Sequence, residues 1–266
     1  MRGNIAITRE VSSSLPDCEL THLLRTPIDV ELARAQHREY ERSLREAGYI
    51  VERLASGPEM PDSVFIEDIA VVFDELAIVM RPGAESRRLE IRAVADALAR
   101  HRQLRAIEAP ATADGGDVLV AGKHVFVGMS TRTNSAAASQ MAQSLEPHGY
   151  KVCEVAVHGC LHLKSAVTTL SDDVLLVNPA WIEPSIFAGF TIVEVDPGEP
   201  AAANALALDD RIVFPSSFPR TADRLERRGL RVQRIDATEV AKAEGAVTCC
   251  SLILRRVEPD NSSIGA

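Results

Sequence analysis

Glu67-Asp68, Asp114-Gly115-Gly116-Asp117, His162 and Cys249 combine the side chains that nucleophilic chemistry on a cation needs. A thiolate attacks, an imidazole moves the proton, and carboxylates orient the imidazole or grip a positive group. Each residue alone has an ordinary structural role. Cys249 serves as a small core residue, His162 as a satisfied structural histidine, Glu67-Asp68 as a solvated strand end and Asp114-Gly115-Gly116 as a turn. Their joint placement argues otherwise, because each falls just before an equivalent strand of a repeating unit. The doublet Cys249-Cys250 opens a strand, where neighbouring side chains point to opposite faces. One cysteine is therefore the candidate nucleophile, Cys249 by phase, while Cys250 packs.

The elements that position these groups form a repeat. Residues 69–73 meet 76–80, 117–120 meet 124–127, 166–170 meet 174–177 and 204–208 meet 211–214, each across a short polar turn. These read as four hairpins. A helical segment follows most of them, as at Ile91, Val94, Ala95 and Leu98, whose spacing is that of one apolar helix face. Gly48, Gly149, Gly189 and Gly229 each precede a short strand, as a glycine closing a helix does. The unit is hairpin, helix, strand in four complete copies. The strand at 4–8 and the one beginning at Cys249 are left over, and their pairing would supply a fifth hairpin and close a ring. Residues 1–257 are expected to form a single catalytic domain, with residues 258–266 a disordered tail. The loop Ser12–Pro27, rich in Ser and Pro, and the loop Ser56–Ser63 are expected to be mobile.

Of the 266 residues, 46% are hydrophobic and 4% aromatic, which supports a large core of Val, Ile, Leu and Ala. The net charge of -9 and the lack of a basic run argue against a nucleic-acid partner. No apolar stretch is long enough for a membrane span, and the N-terminus MRGNIAITRE has no apolar leader core. Five cysteines, an odd number, suit free thiols in a reducing, cytoplasmic setting. Cys153, His158, Cys160 and His162 crowd together, but zinc sites draw ligand pairs from two separated segments, and a second pair is missing. No metal site is expected.

Six motifs in order, PDSVFIED (61–68), RPGAESRR (81–88), DGGD (114–117), STRTN (130–134), LHLK (161–164) and TCCS (248–251), resemble the dimethylarginine dimethylaminohydrolase family of the guanidino-group-modifying (pentein) superfamily. The resemblance covers about residues 4 to 255. It implies an α/β fold, a five-bladed pseudo-symmetric propeller, in agreement with the repeat. It also implies Cys249 as nucleophile, His162 as general acid/base and Asp114 as the group orienting the histidine. Glu67 and Asp68 match positions near the guanidino group. Asp62 and the backbone of Leu20 match α-amino contacts, Arg87 and Arg132 the α-carboxylate clamp, and Ala243 and Glu244 the lining just before the nucleophile. Relatives often carry Asp in place of Glu244.

The implied reaction is hydrolysis of asymmetric N-methylated arginine to citrulline and an amine, without metal or organic cofactor. The partner is a small molecule, with no nucleic acid and no membrane, and the protein acts as a monomer or homodimer. The thiolate would be favoured either by a nearby imidazolium or by the bound cation itself. Arginine deiminases and amidinotransferases use similar groups but are typically longer. A propeller that only binds amino acids would keep the arginine clamp and need no Cys249.

Overall fold

Residues 3–256 are described by the structure, a computed structural model. The chain enters through β1 (Ile5–Arg9), runs along α1 (Val30–Glu46) and returns as β2 (Ile50–Leu54), parallel to β1. The Asp29 carboxylate caps α1 by accepting from the Leu32 N–H. A hairpin, β3 (Ala70–Val72) and β4 (Leu76–Val79), then leads through α2 (Ile91–Leu98) to β5 (Gln103–Ala106). The next unit is β6 (Val118–Ala121), β7 (His124–Met129), α3 (Ser135–Leu145) and β8 (Lys151–Ala156). The one-turn helix α4 (Leu163–Ala166) precedes β9 (Val167–Ser171), β10 (Val174–Val177) and β11 (Thr191–Glu194). The last complete unit is β12 (Leu206–Ala207), β13 (Ile212–Pro215), α5 (Pro219–Arg227) and β14 (Val232–Ile235). After α6 (Thr238–Ala241) the chain reaches β15 (Leu252–Leu254).

Every sheet has three strands, an antiparallel hairpin with a parallel third strand. The first sheet is completed from both chain ends, since β15 pairs antiparallel with β1 in the register Ile5 to Leu254. The leftover strands thus make the fifth hairpin. The closing strand starts at Leu252 rather than Cys249, because residues 248–250 form a 3-10 turn. Gly48, Gly149, Gly189 and Gly229 all take positive φ, between 77° and 99°, the left-handed conformation expected after a helix. Gly149 closes a 3-10 turn, Glu146–His148, that continues α3, whereas Gly189 follows a 3-10 turn at Pro184–Phe187 that stands in place of the expected helix. The expected tail at 258–266 lies outside the described residues.

The apolar core is divided among the seams between sheets. Ile7 and Leu252 pack with Ile69 and Leu98, Ile78 with Val125 and Met141, and Leu119 with Leu175 and Phe187. Leu176 packs with Phe214 and Leu225, and Val213 with Tyr40 and Leu44, which returns the series to the first sheet. Five inner strands, β3, β6, β9, β12 and β15, surround an axial cavity of about 430 Å³. This is a five-bladed α/β propeller, and the turns preceding its inner strands meet at one mouth.

On α1, His37 is buried beside Glu41, and its Nε2 has no hydrogen-bond partner. Burial, only partly opposed by the Glu41 charge, lowers its pKa to about 4. The neutral form is the one the fold accepts, so this stability is complete above pH 6.5 and is lost as pH falls toward 4. Chemical denaturation of wild type and His37→Gln at steps across that window should show a steeper loss of stability in wild type. Equal slopes would remove His37 from the acid response.

Candidate active site

Asp68 lies in the 3-10 turn Ile66–Ile69 that enters β3. Its buried Oδ1 accepts from the Gly116 N–H at 3.0 Å, and its Oδ2 from Arg87 Nη1 at 2.5 Å. Neighbouring side chains diverge in such a turn, and Glu67 faces the axial cavity instead. There it accepts from Lys164 Nζ at 2.6 Å and from Thr248 Oγ1 at 2.9 Å. The expected pair of carboxylates on one guanidinium is therefore divided, with Asp68 in the pocket and Glu67 beneath it.

Asp114 and His162 come from the next two turns. Asp114 Oδ2 stands 3.1 Å from His162 Nε2, while its Oδ1 accepts from the Gly83 N–H at 3.0 Å. The other imidazole nitrogen, Nδ1, lies 3.8 Å from Asp68 Oδ1. The glycines of DGGD permit this packing. A Cβ on Gly116 would come within 2.5 Å of His162 Nδ1 and 2.8 Å of Asp68 Oδ1, and one on Gly115 would overlap the Glu67 carbonyl. Burial by itself would lower the His162 pKa. Asp68, Asp117 and Asp114 outweigh it and bring the group up to about 9, so the imidazolium is the resting form.

Cys249 sits in the Thr248–Cys250 turn, partly exposed, on a pocket wall shared with His162, Asp68 and Arg132. Cys250 turns the other way and packs with Tyr40 and Val247. The doublet is thus divided as expected, though by a turn rather than by strand alternation. Burial, then the charges of Glu67 and Asp68, push the Cys249 thiol well above its ordinary range.

The remaining expected residues take varied places. Asp62, Arg87, Arg132, Ala243 and Glu244 line the pocket. Arg87 is almost fully buried and committed to protein partners: Asp68, both oxygens of Glu90 and the carbonyls of Asp62 and Phe65. Arg132 is freer, donating to Thr21 Oγ1 at 3.3 Å with its Nη1 3.9 Å from Asp114 Oδ2. Asp62 accepts from the Glu19 N–H, and burial raises its pKa to about 6. Glu244, at φ 57°, accepts from three successive backbone N–H groups, those of Thr21, His22 and Leu23. It fastens that loop over the pocket. The Leu20 side chain packs against the core, and Glu19 lines the pocket.

Asn204 was missed. It occupies the turn before β12, the repeat position equivalent to those of Asp68, Asp114, His162 and Cys249. Its Oδ1 accepts from the Thr248 N–H at 3.0 Å, and its Nδ2 donates to Thr248 Oγ1 and the Lys164 carbonyl. The repeat phase was the signal that pointed to it. Cys153, His158, Cys160 and His162 do not gather. Among the described residues, the grouping of three or more potential ligands within mutual reach is Asp68, Asp114 and His162.

A cysteine, a protonated histidine and buried carboxylates at one mouth of this propeller place the protein in the pentein class of guanidino-group-modifying proteins. A family model described as N,N dimethylarginine dimethylhydrolase, eukaryotic, matches residues 23–185. The N(G),N(G)-dimethylarginine dimethylaminohydrolase of Streptomyces coelicolor is 39% identical over 97% of this chain and 99% of that protein. Its counterpart from Pseudomonas aeruginosa is 36% identical over 92% and 97%. A cysteine-to-serine variant of the Pseudomonas aeruginosa protein, complexed with citrulline, superposes with a TM-score of 0.90 at 34% identity, over 96% of this chain and 100% of that one. The N-terminal domain of a cyanobacterial arginine dihydrolase, at 18% identity and TM-score 0.81, shares the fold. The chain belongs to the dimethylarginine dimethylaminohydrolase family.

The contact of imidazole on backbone yields a direct test. Gly116→Ala should displace His162 and lower turnover by about 100-fold. Steady-state kinetics with circular dichroism of the same sample check it, and near-normal turnover in a folded variant would contradict the packing described.

Proposed function

We propose that this chain hydrolyses asymmetric dimethylarginine and monomethylarginine to citrulline, releasing dimethylamine or methylamine. The observation that carries the reading is the convergence of Cys249, the His162–Asp114 pair and Asp68 on a pocket that also holds Arg132. The family relationship supplies the substrate class.

A guanidinium is planar, cationic and a poor electrophile, so it must be held as well as attacked. Asp68 offers it a buried negative partner, and Arg132 reaches the α-carboxylate with a planar fork. In the free enzyme Cys249 is a thiol, because burial and two nearby carboxylates oppose its charge. Arrival of the cation reverses the local charge and lets the thiol proton leave to solvent. The sulfur then attacks the central carbon. His162 gives its proton to the departing dimethylamine as the C–N bond breaks, leaving a thiouronium on Cys249. Neutral His162 next takes a proton from water as the oxygen adds to that carbon. Breaking of the C–S bond then releases citrulline and the cysteine sulfur. Asp114 keeps the imidazole in one orientation throughout.

All the named groups come from one chain, so residues 1–257 are taken as the catalytic unit, active as a monomer or within a homodimer. The substrate is a small molecule, and no nucleic acid or membrane enters the scheme. The need for Cys249 as a free thiol supports the reading of a reducing, cytoplasmic setting. Among the described residues no helix is long and apolar enough to cross a membrane.

Proton NMR of asymmetric dimethylarginine with the pure protein tests this reading. Dimethylamine should appear with wild type and Cys250→Ser and be absent with Cys249→Ser. Turnover of arginine alone would make the chain a deiminase, and no turnover of either would leave an amino-acid-binding propeller. Arg132→Ala should raise KM about 10- to 100-fold with a smaller change in kcat; an unchanged KM would count against the clamp. Since the leaving group needs a protonated His162, kcat/KM should decline above pH about 9. A profile flat to pH 10.5 would contradict that acid role.

A further inference from the structure

The mechanism above gives no task to Asp117, a buried carboxylate beside the acid/base histidine. Asp117 is 0% exposed, yet among the described residues no cation pairs with it directly. Its Oδ1 accepts from the Leu163 N–H at 3.0 Å. Its Oδ2 accepts from Ser130 Oγ at 2.5 Å and from Thr133 Oγ1 at 2.7 Å. Both hydroxyls have a second task. Ser130 Oγ accepts from the Arg132 N–H at 3.0 Å, and Thr133 Oγ1 from the Asp114 N–H at 3.1 Å. A hydroxyl has one proton, and a backbone N–H can only donate. Each hydroxyl proton is thereby directed to Asp117, and each lone pair to the neighbouring amide.

We infer that Asp117 is a positioning residue that sets the acid/base histidine, its orienting carboxylate and the clamp arginine in register with one another. The inference rests on the function proposed above for this same site. Leu163 follows His162 directly, so the bond to its N–H fixes where the histidine leaves the backbone. Thr133 carries the restraint to Asp114, and Ser130 carries it to Arg132. One carboxylate thus spans two turns and the loop after β7. Gly128 on β7 leaves the room, since a Cβ there would lie 3.0 Å from Asp117 Oδ1 and 2.7 Å from Leu163 Cβ.

The charge on Asp117 follows from the same geometry. Burial pushes its pKa up, but all three partners donate, and that favours the ionised form. Its charge reaches His162 together with those of Asp68 and Asp114. Arg87 pairs with Asp68, Arg132 stands near Asp114, and the Cys249 thiol shares the pocket wall. On its other side Asp117 faces the Cys160 thiol, whose pKa burial and this charge raise to about 12.

The experiment compares wild type, Asp117→Asn and Ser130→Ala. The asparagine keeps the shape and removes the charge. Imidazole carbon-13 NMR of His162, assigned with His162→Gln, is read across pH without substrate, so it decides the point whether or not the proposed reaction occurs. Asp117→Asn should lower the His162 midpoint by about one unit. It should also lower kcat and raise KM, each roughly fivefold or more. Ser130→Ala breaks the branch to Arg132 and leaves Asp117 its Thr133 and Leu163 donors, so it should raise KM while leaving the His162 midpoint in place. An unshifted midpoint in folded Asp117→Asn would reduce Asp117 to a structural residue and overturn the inference. So would a Ser130→Ala variant with unchanged KM, or one in which KM and the midpoint move together. Absence of dimethylarginine turnover in wild type would sink the function proposed above, while the titration would still decide the role of Asp117.

Discussion

A carboxylate removed from water must find donors or lose its charge, and at the mouth of this propeller several are removed together. Asp68 takes a backbone N–H from the Asp114–Asp117 turn and a guanidinium from the segment after β4. Asp114 takes a backbone N–H from Gly83 and faces His162. Glu67 takes Lys164 from the histidine turn and Thr248 from the nucleophile turn. Each carboxylate thus takes at least one donor from a blade other than its own. The seams between blades are apolar and non-directional, so they close the ring without fixing its register at this mouth. Directional bonds to buried charges fix it, and the reacting groups sit on the turns that those bonds hold.

The same crowding of charge sets the two protonation states. Carboxylates around His162 keep it an imidazolium, while burial, and then the carboxylates near it, keep Cys249 a thiol. The two shifts share the carboxylates as a cause and favour a resting state in which the proposed nucleophile is silent. In the proposed scheme the arriving guanidinium is the cation that neutralises the field holding the thiol proton. The same field gives Glu67 a part in the proposed scheme although it faces the axial cavity. It anchors Thr248 beside the nucleophile and contributes to the charge that Cys249 feels.

Much of this was legible in the sequence. The hairpins, the helix-closing glycines and the two leftover strands follow from local pattern, and local pattern survives folding. The stations Asp68, Asp114, His162 and Cys249 were legible because the repeat gives them a common phase; Asn204 shares that phase and was not read from it. What local pattern could not supply was direction. Glu67 and Asp68 are adjacent, and which one faces the pocket depends on Lys164 and Thr248, far away in the chain. Arg87 reads as a clamp until Glu90 and two carbonyls are seen to occupy its donors. Cys249 was expected in a strand and lies in a turn, where its own N–H donates to the Ala246 carbonyl at 3.2 Å. The composition of the loop Ser12–Pro27 suggests a mobile segment, yet Leu15 and Cys18 are fully buried and Glu244 holds the stretch after them.

The most direct test is the rate of alkylation of Cys249 in the substrate-free enzyme as a function of pH, with Cys249→Ser as the blank. A thiol held protonated by burial and surrounding carboxylates should react with an inflection above the ordinary cysteine value of about 8.5. A rate already at its plateau at neutral pH would mean a preformed thiolate–imidazolium pair, and activation by the arriving cation would be wrong.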